Sequence, residues 1–407
     1  MDTGLRRYDE IMNASPTRRR LIGGVVGFAA SASLPLPVFA ETEPIVEPSW
    51  GAHQGGIATP QQRHTYTAAF DLIAIERNEV AAMLRAWTTQ AAKISGGEIA
   101  DLSPTRLTLT FGFGAGLFEK DGADRYGLKS GRPAALVDLP VFNGDELDEA
   151  RTGGDISVQA CADDPQVAFD AVRQLARLAQ GAASLRWAQA GFLPATGSGQ
   201  MPRNLMGFKD GSRNLSGDDA AAMEQFVWVG DEGPEWMRGG SYVVLRRIRI
   251  ALERWDRMPR DFQEHTFGRE KSSGAPLGAE GELDPPDLKA MADEGDPVIP
   301  DSAHIRIAAP ESNDGARILR RGYSYNDGVT FVRDRWPPWR EGPRYDAGLF
   351  FVCYQRDPRT GFIPIFDRLS KFDMLNQFVT HTGGGLFACP GGAAKGEYIG
   401  QRLFEAG

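Results

Sequence analysis

Two segments in the first half of the chain carry apolar residues at every third or fourth position. In residues 76–92 the apolar positions are Val80, Met83, Leu84, Trp87 and Ala91. Residues 165–178 repeat this spacing, which predicts two amphipathic helices because such side chains share one helix face. Strand patterns lie around them, at residues 66–75, 106–112, 155–161 and 187–192. The predicted order, βαββαβ, is that of a ferredoxin-like unit.

The second half of the chain shows similar elements with longer interruptions. Strand patterns occupy residues 240–248, 349–354 and 383–390, and helix patterns occupy residues 250–255 and 368–378. Residues 269–300 are dense in Gly, Pro, Asp and Glu, which predicts a long functional loop. We therefore predict an α+β fold of two ferredoxin-like halves with antiparallel sheets. The predicted halves are residues 61–220 and 221–407, preceded by a polar segment at residues 41–60.

The N-terminus carries the pattern of an export signal. An arginine run at residues 18–20 directly precedes a weakly hydrophobic stretch at residues 21–40, which ends in Val38-Phe39-Ala40. Consecutive arginines before such a stretch predict a twin-arginine signal peptide over residues 1–40, with a small-residue cleavage site. The protein would then be exported folded to the periplasm or another extracytoplasmic space. A permanent membrane anchor is the alternative, but Pro35 and Pro37 make a poor spanning helix.

Charge and cysteine content narrow the class of protein. The net charge of −9 argues against a nucleic-acid partner. A hydrophobic content of 42% is enough for a substantial core. The three cysteines, Cys161, Cys353 and Cys389, are far apart and odd in number. We expect neither a disulfide framework nor a cysteine-rich metal site, and we expect these side chains to be buried.

Asp210 is the first candidate for acid/base chemistry. It follows Gly207 by three residues and directly precedes Gly211, with Lys209, Arg213 and Asn214 close by. Glycines allow tight turns and the close approach of a flat ligand. An ordinary Asp-Gly turn is the alternative interpretation, since this dipeptide is common in turns.

His304 and Arg320 are the next candidates. His304 is one of five histidines and lies in the apolar, alternating run at residues 303–308. A partly buried histidine is commonly a satisfied core residue, yet it would also suit the ligand of a haem iron whose other face stays open. Arg320 and Arg321 are adjacent, so on a strand one would enter a pocket while the other would remain in solvent or bind a carboxylate. Surface ion pairs are the alternative for each arginine.

Several segments together resemble the dye-decolourising haem peroxidases, in particular their exported deferrochelatase/peroxidase branch. The three candidate residues lie in Gly207-x-x-Asp210-Gly211, Ala303-His304-Ile305-Arg306 and the run from Arg320 to Tyr325. Further similar segments lie at residues 53–60, 110–114, 268–277 and 351–357. Because these segments occur in the right order along the chain after its leader, the resemblance is specific.

The resemblance implies a dimeric α+β barrel with one haem b per chain, bound in the C-terminal half. It makes His304 the axial metal ligand, and Asp210 and Arg320 the catalytic pair on the opposite face. Arg320 and three residues beside Asp210 would contact the haem, namely Gly211, Ser212 and Arg213. A further haem-contacting stretch falls on Ala309, Pro310 and Glu311, where this sequence departs from the asparagine and small polar residues more common in the family.

The implied reaction is reduction of hydrogen peroxide with oxidation of dyes or other donors. Asp210 would move a proton from one peroxide oxygen to the other, and Arg320 would stabilise the developing negative charge. The second ring nitrogen of His304 should donate to a carboxylate or carbonyl. The branch name also suggests release of iron from haem with intact porphyrin, or oxidation of ferrous iron for an uptake system. A homodimer or higher homo-oligomer is expected.

Other functions and roles are also possible from the sequence. The glycines of Gly112-x-Gly114-x-Gly116 weakly suggest a nucleotide-binding oxidoreductase, although the spacing is incomplete. A non-enzymatic haem carrier would share the haem site but not the catalytic pair. One group of aromatic residues would either relay electrons to bulky donors or serve packing: Tyr323, Tyr325, Trp336, Trp339 and Tyr345.

Overall fold

The predicted strands and helices occur in the expected order, together with further elements, in the computed structural model, which describes residues 45–99, 103–197, 200–333 and 341–405. The strands in these ranges are β1 (His64–Leu72), β2 (Thr108–Phe113), β3 (Ile156–Ala162), β4 (Ala183–Phe192), β5 (Ser241–Ile250), β6 (Leu319–Arg320), β7 (Tyr323–Arg333), β8 (Glu341–Gln355) and β9 (Val379–Cys389). The α-helices are α1 (Arg77–Ser95), α2 (Ala115–Phe118), α3 (Pro165–Leu178), α4 (Ala220–Phe226), α5 (Leu252–Trp255), α6 (Arg260–Phe267), α7 (His304–Ile307), α8 (Phe362–Phe372) and α9 (Gln401–Glu405).

The first half has the predicted ferredoxin-like arrangement. Its antiparallel strands lie in the order β2-β3-β1-β4, and α1 and α3 pack on one face of this sheet. Alternation along β1 explains why the sheet has two buried faces. Ala68 and Phe70 join the core beneath the helices, whereas Ala69 joins the cluster on the other face.

The second half repeats this topology. Its long strands lie in the order β7-β8-β5-β9, which places the first strand of the half between the third and the fourth. Single residue pairs, Phe113 with Ala388 and Phe192 with Ser324, join the two sheets. The pairing of β5 with β8 closes the ring, so the sheets form a barrel.

Some element boundaries differ from those predicted. The helix expected at residues 368–378 is α8, which begins earlier, at Phe362. It also ends earlier, because Asp373 is extended and caps a separate 3-10 turn, Met374–Gln377. The run around His304 is one helical turn. β8 extends well beyond the predicted 349–354 because it forms a long hairpin with β7. The predicted loop at residues 269–300 contains no helix or strand.

Close packing explains the glycines that suggested a nucleotide-binding loop. A Cβ atom on Gly114 would lie 2.1 Å from the carbonyl oxygen of Gly154, and one on Gly116 would lie 2.0 Å from Oδ1 of Asp155. No side chain fits in either place. These glycines therefore allow the turn between β2 and α2 to pack against residues 154–155.

The expected burial of the cysteines is confirmed, since Cys161, Cys353 and Cys389 are free and buried. Residues 44–407 form one compact unit. The predicted signal at residues 1–40 and the start of the polar segment lie outside the described residues, as do Trp336 and Trp339. Within the described ranges, no helix is long and apolar enough to cross a membrane. The predicted division at residue 220 stays a prediction.

A charged cluster is buried between α8 and the sheet of the second half. Arg246 of β5 forms an ion pair with Asp145, and the side chains of both are almost fully buried. The guanidinium lies over the rings of Phe142 and Phe366 and donates to Nδ1 of His381 at 3.4 Å. Burial, together with the charge of Arg246, lowers the pKa of His381 to about 3.

This shift predicts a loss of stability in mild acid. Below pH 6.5 the unfolded chain binds a proton at His381, whereas the folded chain binds it only near pH 3. Between these values, each unit by which the pH is lowered should reduce the free energy of unfolding by about 1.4 kcal/mol through this group. In His381→Gln this contribution should vanish. Urea unfolding between pH 7 and pH 5 would measure it, with exposed His265→Gln as the control. Equal pH slopes in wild type and His381→Gln would contradict the prediction.

Candidate active site

A hydrogen-bonded turn presents Asp210. Oδ1 of Asn204 accepts hydrogen bonds from the backbone N–H groups of Met206 and Phe208, at 3.1 and 3.2 Å. Gly207 and Gly211 both have positive φ, +88° and +110°, which explains why glycine is used on each side of the acid. Phe208 is buried and stacks on Phe267 with ring centroids 4.0 Å apart. The turn is thus anchored in the core two residues before Asp210.

Asn214 holds the backbone of Arg320 through two hydrogen bonds. The N–H of Arg320 donates to Oδ1 of Asn214 at 2.9 Å, and Nδ2 of Asn214 donates back to the carbonyl of Arg320 at 2.7 Å. From this position Nη1 of Arg320 donates to Oδ1 of Asp210 at 3.0 Å. The side chains remain 33% and 38% exposed, so a small molecule can reach the pair. Asn214 was not singled out from the sequence, although it lies in the Asp210 segment.

Arg321 differs from the sequence expectation. Its residue is buried, and the guanidinium donates to the carbonyl of Thr59 and to Oε1 of Gln62. It therefore neither stays in solvent nor binds a carboxylate. Instead it ties the strand carrying Arg320 to the segment that precedes β1.

His304 has a carboxylate partner that the sequence did not identify. Nδ1 of His304 lies 2.6 Å from Oδ2 of Asp373, whose side chain is only 5% exposed. The other oxygen of Asp373 accepts from the N–H of Leu375 at 2.8 Å, which fixes the carboxylate. A proton shared through Nδ1 leaves the lone pair on Nε2, the nitrogen that can bind a metal. His304 itself is 31% exposed at the side chain.

Packing brings these two pairs to the same side of the second sheet. Arg320 is the cross-strand partner of Cys353, so both side chains point to one face. Cys353 packs there with Phe362 of α8, the helix that ends next to Asp373. On the other flank, the ring of Phe267 lies 6.1 Å from that of His304 and stacks on Phe208.

The surroundings fit a flat, anionic metal complex. Several apolar side chains between this sheet and α8 keep part of their surface accessible, namely Ile318, Phe351, Ile363 and Leu386. The guanidinium groups of Arg213, Arg269 and Arg320 also lie close enough to interact. Burial and the charges of Arg320 and Arg213 together lower the pKa of Arg269. A metal-binding nitrogen, an apolar wall and cations for carboxylates are what a haem requires.

The remaining predicted haem contacts have mixed surroundings. Ser212 donates from Oγ to Oε1 of Glu282 at 3.2 Å. The side chains of Arg213 and Glu311 are partly exposed and lie 3.8 Å apart. Ala309 is buried, and Pro310 begins a short 3-10 turn. Contact of these residues and of Gly211 with haem stays a prediction.

Comparison with known proteins identifies the family. The sequence model of the N-terminal part of Dyp-type peroxidases matches residues 54–193, and that of the C-terminal part matches residues 201–394. This chain belongs to the Dyp-type peroxidase family. As a Dyp-type peroxidase it is an enzyme, and its cofactor is haem. Asp210, His304 and Arg320 all lie in the part that matches the C-terminal model.

Individual relatives agree with this assignment. A dye-decolorizing peroxidase of Thermobifida fusca is 37% identical, covering 95% of this chain and 94% of that protein. A deferrochelatase of Escherichia coli O157:H7 is 34% identical, covering 96% of this chain and 97% of its own. The structure of ferric DtpA from Streptomyces lividans, 42% identical, superposes with a TM-score of 0.82 over 89% of this chain and 98% of that one.

The family resemblance makes His304 the expected iron ligand, so the carboxylate that it contacts should tune the haem iron. An anion that accepts the Nδ1 proton makes the imidazole a stronger donor and favours ferric over ferrous iron. We therefore expect Asp373→Asn to raise the reduction potential, measured by spectroelectrochemical titration of the purified holoenzyme. Asp367→Asn is the matched control, because Asp367 lies on α8 but pairs with Lys371. An unchanged potential in Asp373→Asn would contradict this role.

Proposed function

We propose that this Dyp-type peroxidase reduces hydrogen peroxide with Asp210 and Arg320 as its catalytic pair and His304 as the iron ligand. The observation that carries the proposal is the 3.0 Å hydrogen bond from Arg320 to Asp210, both partly exposed. Bound haem supplies the redox centre that passes electrons from a donor to peroxide. Dyes and other bulky electron donors are the expected reductants.

Asp210 is the proton carrier in this proposal. Arg320 occupies Oδ1, and among the described residues nothing bonds to Oδ2, which is left to receive a proton. The carboxylate takes the proton from one peroxide oxygen and returns it to the other, from which water leaves. Because Asn214 fixes the backbone of Arg320, the carboxylate is oriented without being enclosed.

Arg320 acts through charge. Its guanidinium holds the Asp210 carboxylate in place through the 3.0 Å hydrogen bond from Nη1. It also stabilises negative charge that develops on the departing oxygen as the oxygen–oxygen bond breaks. Both effects need the cation to be in place before peroxide arrives, which its backbone hydrogen bonds ensure.

Substitution of either residue tests the proposal. Asp210→Ala and Arg320→Ala should each slow the bimolecular reaction with hydrogen peroxide by about 10²- to 10⁴-fold, because general acid–base and electrostatic assistance are lost. Stopped-flow absorbance of the holoenzyme gives the rate, and the Soret band shows whether haem is still bound. Asp218→Ala, an exposed aspartate nearby in sequence, is the control. Unchanged rates would instead favour a non-enzymatic haem carrier.

Iron release from haem is the second candidate, supported by the relatives named deferrochelatase. It differs from peroxidase activity in its product, an intact metal-free porphyrin. We expect donor oxidation that requires peroxide, and no porphyrin fluorescence when haem is incubated with the protein and a reductant. Porphyrin fluorescence together with ferrous iron, detected by a chelating dye, would overturn that expectation. Oxidation of added ferrous iron would support a role in an iron-uptake system.

The place of action and the assembly are further parts of the proposal. We infer export in the folded state by the twin-arginine route to the periplasm or its equivalent, supported by the arginine run at residues 18–20 and the apolar stretch after it. Export after folding would allow haem to be inserted in the cytoplasm. A homodimer or higher homo-oligomer, as the family resemblance implies, is the expected assembly.

A further inference from the structure

We propose that Glu282, on the long loop of residues 269–300, is a positioning residue for Asp210. Its carboxylate binds residues on both sides of the acid. Oε2 forms an ion pair with Lys209, one residue before Asp210, and Oε1 accepts from Oγ of Ser212 at 3.2 Å, two residues after it. One side chain therefore spans the turn at the catalytic position.

The backbone of Glu282 is in turn held by Arg269. Nη1 of Arg269, a buried residue, donates to the carbonyl of Glu282 at 3.1 Å and to that of Gly274 at 2.6 Å. Gly274 passes close to the turn, since a Cβ atom there would lie 2.7 Å from Cδ of Lys209. The loop and the turn thus fit together without room for another side chain.

A second tie holds the other end of the turn. The guanidinium of Arg203 donates to the carbonyl of Gly207 at 2.8 Å and, across to the loop, to the carbonyls of Lys271 and Ser272 at 2.6 and 2.8 Å. Lys271 in turn packs so near Gly207 that a Cβ atom there would lie 2.6 Å from its Cε. The loop therefore contacts the Asp210 turn at both of its ends.

These contacts restrain a turn that has a glycine on each side of Asp210. Gly207 and Gly211 give the backbone freedom on both sides of Asp210, and Asp210 has Arg320 as its ion-pair partner. Small displacements of a reacting group lower rates strongly. Glu282 removes that freedom by binding the residues next to the acid, while the acid itself stays accessible.

The test rests on the proposed role of Asp210 and separates the two ideas. Glu282→Ala should slow the reaction with hydrogen peroxide by about 10- to 100-fold. Glu282→Gln keeps one oxygen acceptor for Lys209, and its amide N–H group can donate to Oγ of Ser212, so the rate should remain within about 3-fold of wild type. The matched control is Glu280→Ala, an exposed glutamate two residues away in the same loop. The affinity for the electron donor should not change.

Two further measurements make the outcome decisive. In an Asp210→Ala background, Glu282→Ala should cause no additional loss, because it acts only through that carboxylate. Amide hydrogen exchange of residues 207–214 in the holoenzyme should be faster in Glu282→Ala than in Glu280→Ala. If Glu282→Ala does not retain haem, Ser212→Ala carries the same test, with a smaller rate loss that is absent without Asp210.

Distinct results overturn the two proposals. Wild-type peroxide rates in Asp210→Ala would refute the proposed function itself. A large loss in Asp210→Ala with wild-type rate and exchange in Glu282→Ala would refute only the positioning role. An additional loss from Glu282→Ala in the Asp210→Ala background would also refute it, since the glutamate would then act by another route.

Discussion

The pairing of β8 with its neighbours is the constraint on which the site depends. β8 pairs with β7 over its first part, to Phe350, and with β5 over its last part, from Gly348. Through Cys353 and Tyr354 it also pairs with the two residues of β6. β6 is too short to hold a position by itself. The register against β8 therefore decides that Arg320 faces the side of α8 rather than the barrel interior, where its neighbour Leu319 packs. A shift by one residue would exchange the two side chains.

The two halves share a topology, but the helix-covered faces of their sheets differ in how much apolar surface stays accessible. In the first half, α1 and α3 cover their sheet with a continuous apolar core that includes Trp87 and Phe111. In the second half, α8 covers only part of the sheet, and apolar side chains such as Phe351 and Leu386 stay partly accessible. The same topology thus gives a closed core in one half and a face suited to a flat cofactor in the other.

Local sequence patterns predicted the fold well where one face of an element is strongly apolar. The period in residues 165–178 matched α3 because Asp164 caps its N-terminus and Pro165 starts it, both local signals. The end of α8 differs from the prediction because Asp373, which contacts His304, ends the helix. This contact joins residues far apart in sequence, so no local period indicates it. Adjacent arginines likewise suggested opposite faces but could not show that Arg321 binds Thr59 and Gln62, far away in sequence.

For the candidate site too, some residues could be predicted from the sequence and others could not. Family resemblance, rather than spacing, predicted that Asp210 and Arg320 belong together, since 110 positions separate them. Asp373 and Glu282 escaped detection because a single acidic residue in a polar segment has no distinguishing pattern; only the folded chain reveals its partner. The residues proposed for the chemistry lie in motifs of the family, whereas the positions of the residues that bind them are set by packing.

Two carboxylates on the two sides of the site show how environment assigns role. Asp373 is almost fully buried and has both oxygens engaged, by His304 and by the N–H of Leu375. A group bound in this way keeps its orientation, and neither of its oxygens is left open to a ligand. Asp210 is partly exposed and has one oxygen engaged by Arg320. Since a proton carrier must both gain and release its proton, the free oxygen of Asp210 suits it to the proposed proton transfer, just as the two engaged oxygens of Asp373 suit it to orienting the proposed iron ligand, His304.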